Sequence, residues 1–198
     1  VYAGRRNDKN KFISIIGEDR NTTILTSSVD RGPKSKGKRY YDCAALNVYA
    51  DRFYAENITI RNTSGNVGQA EALFTAGDAH VFSNCTLSGY QDTYKANGGA
   101  RGYFSRCTIE GATDFIYDAG LEWFDDCEIR CVRGKGYITL PPPSELSVSH
   151  VPLYPKLSQS ACMRVCSSTA ADSPPSRAWP TAPTIWDARG RRTAARCS

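Results

Sequence analysis

The sequence predicts an all-β fold, a parallel β-helix with an irregular C-terminal tail, from three observations. A strand-like hexapeptide recurs at steps of 22 and 20 residues. The apolar segments are short, β-branched or aromatic, and bounded by turn residues. Composition changes abruptly near residue 140. At 198 residues, with 40% hydrophobic and 23% charged side chains, the chain has the make-up of one globular domain, not of a disordered, collagenous or coiled-coil protein. No apolar run approaches the ~20 residues needed to cross a bilayer as a helix, which argues against a membrane role.

In chain order the apolar segments are Phe12 to Ile16, Ala44 to Tyr49, Asn57 to Ile60, Val81 to Leu87, Tyr103 to Ile109 and Trp123 to Ile129. Each is too short for an ordinary helix and rich in residues that suit a pleated surface, so each reads as a strand. Turn clusters such as Asn62-Thr63-Ser64-Gly65 and Asn97-Gly98-Gly99 punctuate them.

The repeat decides how these strands are arranged. Phe82-Ser83-Asn84-Cys85-Thr86-Leu87 returns as Phe104-Ser105-Arg106-Cys107-Thr108-Ile109 and as Phe124-Asp125-Asp126-Cys127-Glu128-Ile129, with a weaker copy at Tyr54-Ala55-Glu56-Asn57. A strand-forming unit of this length, without a leucine-rich consensus, fits one winding of a parallel β-helix. Equivalent residues of successive windings then stack about 4.8 Å apart. Cys85, Cys107 and Cys127 share one repeat position and read as an inward ladder of small apolar thiols; disulfides among the other five cysteines stay open. No Cys-x-x-Cys pair exists and both histidines are isolated, so a metal site is not expected.

Residues 1–140 form the expected β-helix domain, cut short at its N-terminus, and residues 141–198 a tail that is atypical or poorly ordered. The tail carries 9 of the 10 prolines and only one of the 16 glycines. It also holds most of the +5 net charge, ending in Arg189, Arg191, Arg192 and Arg196. Such an end reads as a solvated basic segment more readily than as a nucleic-acid patch. The start at Val1-Tyr2-Ala3-Gly4-Arg5 has neither an initiator Met nor an apolar signal core, as in a mature product or internal fragment.

Nucleophile-elbow, zincin and phosphate-loop motifs are absent, and His80 reads as a structural histidine. What remains is a carboxylate pair. Asp92 and Asp114 lie 22 residues apart, one winding, and follow their repeats at the same interval. Stacked carboxylates do not both ionise cheaply, so one is expected to hold a proton while the other stays charged. Gln69 and Gln91, also 22 apart, place neutral amides beside them as donors for an oxyanion. Spacing alone leaves a non-catalytic polar ladder open.

At these residues the chain resembles the pectin methylesterases, carbohydrate esterases that demethylate polygalacturonate. The resemblance rests on Gly68-Gln69-Ala70-Glu71-Ala72-Leu73, Gly89-Tyr90-Gln91-Asp92-Thr93 and Gly111-Ala112-Thr113-Asp114-Phe115-Ile116-Tyr117, supported by Ile16-Gly17-Glu18-Asp19 and Gly136-Tyr137-Ile138-Thr139. It implies a right-handed parallel β-helix of the pectin-lyase-like kind and an esterase needing no cofactor or metal. By the same resemblance Asp114 is the nucleophile, Asp92 the general acid and then base, and Gln91 and Gln69 line the oxyanion site. Tyr117, Tyr94 and Thr113 fall to the substrate subsites. The implied partner is methylated pectin, bound by a monomer with no nucleic-acid or membrane role. The place of action is secreted, extracellular or periplasmic.

Two departures bear on activity. The family's Leu-Gly-Arg-Pro-Trp motif has no clean copy, and Ser176-Arg177-Ala178-Trp179-Pro180 is the nearest, offering Arg177 to hold the nucleophile ionised and Trp179 to stack on sugar. Asp118 stands where the family has Gly, adding a charge next to the nucleophile. Alternatives therefore stand beside the esterase reading: a degenerate, non-catalytic polygalacturonate-binding β-helix, an incomplete or frame-disrupted family member, or a β-helix glycosidase or lyase acting on pectin.

Overall fold

The computed structural model describes residues 1–4, 12–31, 40–97, 101–118, 120–133, 136–139 and 162–166, and in it successive windings build three parallel sheets. The first sheet contains, in spatial order, β1 (Tyr2–Ala3), β4 (Leu46–Val48), β7 (Leu73–Thr75), β10 (Tyr94–Ala96), β13 (Thr113–Asp118) and β16 (Tyr137–Thr139). The second contains β2 (Ser14–Ile16), β5 (Tyr54–Glu56), β8 (His80–Ser83), β11 (Arg101–Ser105), β14 (Leu121–Asp125) and β17 (Cys162–Cys166). The third contains β3 (Ile24–Ser27), β6 (Thr59–Asn62), β9 (Thr86–Ser88), β12 (Thr108–Gly111) and β15 (Glu128–Cys131). One helical turn, α1 (Tyr40–Cys43), precedes β4. The parallel β-helix expected from the repeat is the fold observed.

Each wall contributes an inward apolar ladder. Leu46, Leu73, Tyr94 and Ile116 stack in the first sheet, Ala55, Phe82, Phe104 and Phe124 in the second, and Leu25, Ile60, Leu87, Ile109 and Ile129 in the third. Phe82, Phe104 and Phe124 lie nearly parallel with ring centroids 4.8 and 5.0 Å apart, the spacing that the parallel ladder itself imposes. Cys85, Cys107 and Cys127 form the expected thiol ladder: the Cys85 amide donates to Cys107 Sγ at 3.4 Å and the Cys107 amide to Cys127 Sγ at 3.3 Å. All three are free thiols, as is Cys43, whereas Cys131 is disulfide-bonded.

The structure corrects the strand boundaries. Val81 to Leu87, Tyr103 to Ile109 and Trp123 to Ile129 were each expected to be one strand, but each is two, belonging to different sheets. Asn84, Arg106 and Asp126 stand at the break with φ of 50, 54 and 51°, and Asn57 repeats the corner below them at 54°. A single left-handed residue turns the chain from the second sheet to the third, which hydrophobic content alone does not reveal. Asn and Asp tolerate this conformation best among residues with a Cβ. Asn84 Nδ2 also donates to Asn57 Oδ1 at 2.7 Å, tying two corners together.

Within the stretch expected to be irregular, β17 runs parallel beside β14, pairing Leu121 with Cys162 and Asp125 with Cys166. The rest of residues 141–198 lies outside the described residues. Asp118 ends β13 in strand geometry, paired with Ala96.

Candidate active site

The site forms where the third sheet hands the chain to the first. In this transition the Ala70 amide donates to the Gln91 carbonyl at 3.1 Å, and the Asp92 amide to the Thr113 carbonyl at 3.2 Å. A parallel bridge joins Gln91 to Thr113, and Tyr94 pairs with Ile116. Two adjacent ladders follow from this register: Gln69, Gln91 and Thr113 in one, Ala70, Asp92 and Asp114 in the other. Asp92 and Asp114 are therefore stacked one winding apart. The Arg31 amide extends the pattern downward by donating to the Gln69 carbonyl at 2.7 Å, which puts Arg31 below Ala70.

Asp92 and Asp114 both adopt left-handed backbone, at φ 58 and 49°. This breaks the alternation of the strand at each position: Thr93 and Tyr94 are both buried after Asp92, and Ala112 and Phe115 are buried around Asp114. Left-handed non-glycine residues carry a conformational cost and concentrate where a side chain must be aimed for function. The same device occurs at both aspartates, on adjacent windings, so the two side chains leave the backbone at equivalent positions.

Their environments differ. Asp92 is only 2% exposed, and burial, joined by the negative charge of Asp114, pushes its carboxyl up to about 7. Lys95, Arg31 and the Gln69 side chain oppose that rise. Asp114 is half-buried and is raised by burial alone. Its charge is felt at Asp92, so Asp114 ionises first and Asp92 keeps the proton, the division of labour expected of a nucleophile beside an acid.

A third carboxyl lies beside them. Glu71 is wholly buried, neither of its carboxyl oxygens has a hydrogen-bond partner, and burial followed by the charge of Asp92 drives it up to about 8. Arg31 and Lys95 are the cations acting on it. Lys95 pairs in register with Tyr117, and its ammonium sits 3.8 Å from the Tyr117 ring centroid, a cation–π contact. Sequence reasoning quoted Glu71 within a motif without giving it a role, and it passed over Lys95 and Arg31. The available signal was a charge set among buried apolar neighbours, as in Ala70-Glu71-Ala72 and Tyr94-Lys95-Ala96.

Of the residues expected at the site, Asp92, Asp114, Gln69, Gln91 and Thr113 come together in the two ladders, with Tyr117 further along the strand that carries Thr113 and Asp114. Tyr94 does not join them. Its ring is fully buried inside the helix, edge-on to Phe104 at 5.2 Å, and its hydroxyl donates to Glu122 Oε1 at 2.8 Å. It is a core residue rather than a subsite wall, because its register places it in line with Leu73 and Ile116. Arg177 and Trp179 lie outside the described residues. His80 is buried against the Ala50 carbonyl, with burial lowering its proton affinity.

Fold and site together define a parallel β-helix with a paired-carboxylate centre. Within that class the chain belongs to the pectinesterase family, whose family model matches residues 5–138. It is similar to the probable pectinesterase A of Neosartorya fischeri, at 46% identity over 96 residues, covering 48% of this chain and 29% of that protein. Among solved structures it is similar to the pectin methylesterase from Yersinia enterocolitica, with 30% identity and a TM-score of 0.58 over 71% of this chain and 53% of that one. It is also similar to a pectin methylesterase crystallised with a hexasaccharide, with 29% identity and a TM-score of 0.54 over 67% and 48% of the two chains. The chain thus spans less than a third of the first of these proteins and about half of each structure.

Proposed function

We propose that this chain hydrolyses the methyl esters of polygalacturonate and releases methanol. The observation that carries the reading is the register-stacked pair Asp92 and Asp114, alike in backbone conformation and unlike in proton affinity. Ionised Asp114 attacks the ester carbonyl carbon, and the oxyanion that forms is held by the amide groups of Gln69 and Gln91. As the carbonyl reforms, the C–OCH3 bond breaks and Asp92 gives its proton to the departing oxygen, producing methanol and an anhydride at Asp114. Ionised Asp92 then takes a proton from water. The hydroxide cleaves the anhydride, which leaves the galacturonate carboxyl, restores the Asp114 carboxylate and returns Asp92 to its protonated state.

The family membership and the sugar complex of a relative support pectin as the substrate. Tyr117 and Thr113 are proposed as its subsite contacts, Arg177 as the cation that keeps Asp114 ionised, and Trp179 as a stacking surface. We place this chemistry on the β-helix of residues 1–140, acting as a monomer outside the cell or in the periplasm, where the polymer is found. The test is methanol release from methylated pectin. The unsubstituted chain should release it and Asp114→Asn should not. No methanol from the unsubstituted chain, or new reducing ends or unsaturated products in its place, would overturn the proposal.

A further inference from the structure

We propose that Arg31 is a positioning residue that fixes the orientation of the Gln69 amide, and so aims its NH2 group at Asp92 and the reacting centre. The inference rests on the esterase reading for its catalytic meaning, but its geometry stands independently. Arg31 Nη1 donates to Gln69 Oε1 at 2.9 Å, while the Arg31 backbone amide donates to the Gln69 carbonyl at 2.7 Å. One residue therefore holds Gln69 at both its main chain and its side chain.

The direction of the amide follows from chemistry. A guanidinium has five N–H donors and no acceptor, so the Gln69 atom in contact with it must be the carbonyl oxygen. The nitrogen is then directed away from Arg31. Asp92 follows Gln91 on the winding stacked against Gln69, and the Gln69 side chain favours its ionised form, as expected when the amide nitrogen faces it. Ala70 separates Arg31 from Asp92 in the stack. Without Arg31 the two ends of the Gln69 amide are nearly isosteric, and the donor is free to turn from the site.

The charged and titratable groups acting on Asp92 are Asp114, Lys95 and Arg31, with Glu71 coupled to the same cluster. An activity-independent readout is the side-chain NH2 resonance of Gln69 in protein labelled with 15N-glutamine, assigned by its loss in Gln69→Glu. In the unsubstituted chain this signal should titrate with an inflection near pH 7, following Asp92. In Arg31→Met the inflection should vanish while the core amide spectrum is retained. Should Arg31→Met not fold, Arg31→Gln is measured the same way, since its amide offers Gln69 a donor or an acceptor and no longer dictates orientation. An inflection of unchanged size in the variant overturns the proposal.

The kinetic arm asks whether the effect passes through Gln69. Arg31→Met should lower plateau kcat about tenfold with KM for pectin unchanged, below the loss expected for deleting an oxyanion donor outright. In a Gln69→Ala background the same substitution should cost nothing further. Equal losses in both backgrounds would contradict the assignment. If the unsubstituted chain releases no methanol, the esterase reading fails, and the amide titration still decides the role of Arg31.

Discussion

Glu71 is a carboxyl with no hydrogen-bond partner in the interior of a winding, and its removal should change how stability depends on pH. Folding raises it from 4.5 to about 8, chiefly through burial. The folded chain therefore binds a proton that the unfolded chain has lost between those values, so stability falls as pH rises through that window. Below pH 4.5 both states are protonated and Glu71 exerts no penalty; above 8 the penalty is complete. The whole shift is equivalent to about 5 kcal/mol, and relaxation with water entry reduces what is measured, leaving an expected difference of roughly 2 to 5 kcal/mol. Glu71→Gln keeps the shape and removes the titration. Asp92, which is also raised, remains in both chains, so the difference between variant and parent isolates Glu71. Urea unfolding at pH 5 and pH 9, extrapolated linearly with the slopes compared, measures it. Glu71→Gln should lose less stability than the parent between the two pH values. Parallel losses in the two chains would refute the placement of Glu71 as a buried, unpartnered acid.

Three further outcomes are expected. The rate of methanol release should climb as Asp114 ionises and decline above about pH 7 as Asp92 gives up its proton, and initial rates from pH 4 to 9 check this; rates still rising through pH 8 would contradict the assigned roles. Phe104→Ala removes the middle ring of the aromatic stack and should destabilise by about 3 to 5 kcal/mol in chemical denaturation. At the left-handed corner, Asn84→Val should cost roughly 2 kcal/mol and Asn84→Gly clearly less, since glycine lacks the Cβ that the conformation disfavours; equal losses would show that the Asn57 contact, not the backbone, governs the site.

What the sequence made legible was the translation along the helix axis. The hexapeptide at Phe82, Phe104 and Phe124 fixed the length of a winding, and that length alone stacked the cysteines, the phenylalanines and the two aspartates. What it concealed was the shape of each winding. The corners at Asn84, Arg106 and Asp126 are made by one residue each, with a Phe two residues before and a Cys directly after, so the pattern passes unbroken from one sheet into the next. Tyr94 was misplaced for a related reason. An aromatic two residues after Asp92 suggests a sugar-binding wall, but the left-handed turn at Asp92 resets the alternation and sends that ring into the core. Arg31 escaped notice because its partner is 38 residues away, across a winding in which the regular 22-residue step does not hold.

The same stacking explains how a repetitive fold gives two identical side chains the unequal proton affinities that the proposed acid–base roles require. Repetition gives Asp92 and Asp114 the same backbone conformation and the same neighbour relation to a Gln or Thr ladder. Only position along the axis then distinguishes them. Asp92 has Ala70 below it and Asp114 above it, and is nearly sealed from solvent, whereas Asp114 stays half-open. Burial falls more heavily on the inner carboxyl, and the charge of the outer one adds to it, so both effects push the proton onto Asp92. An alanine at position 70 is part of this arrangement, since a third carboxylate there would compete for the same proton. The acid Glu71, one residue further along, lies off this axial line and is raised chiefly by burial, with the charge of Asp92 adding to it.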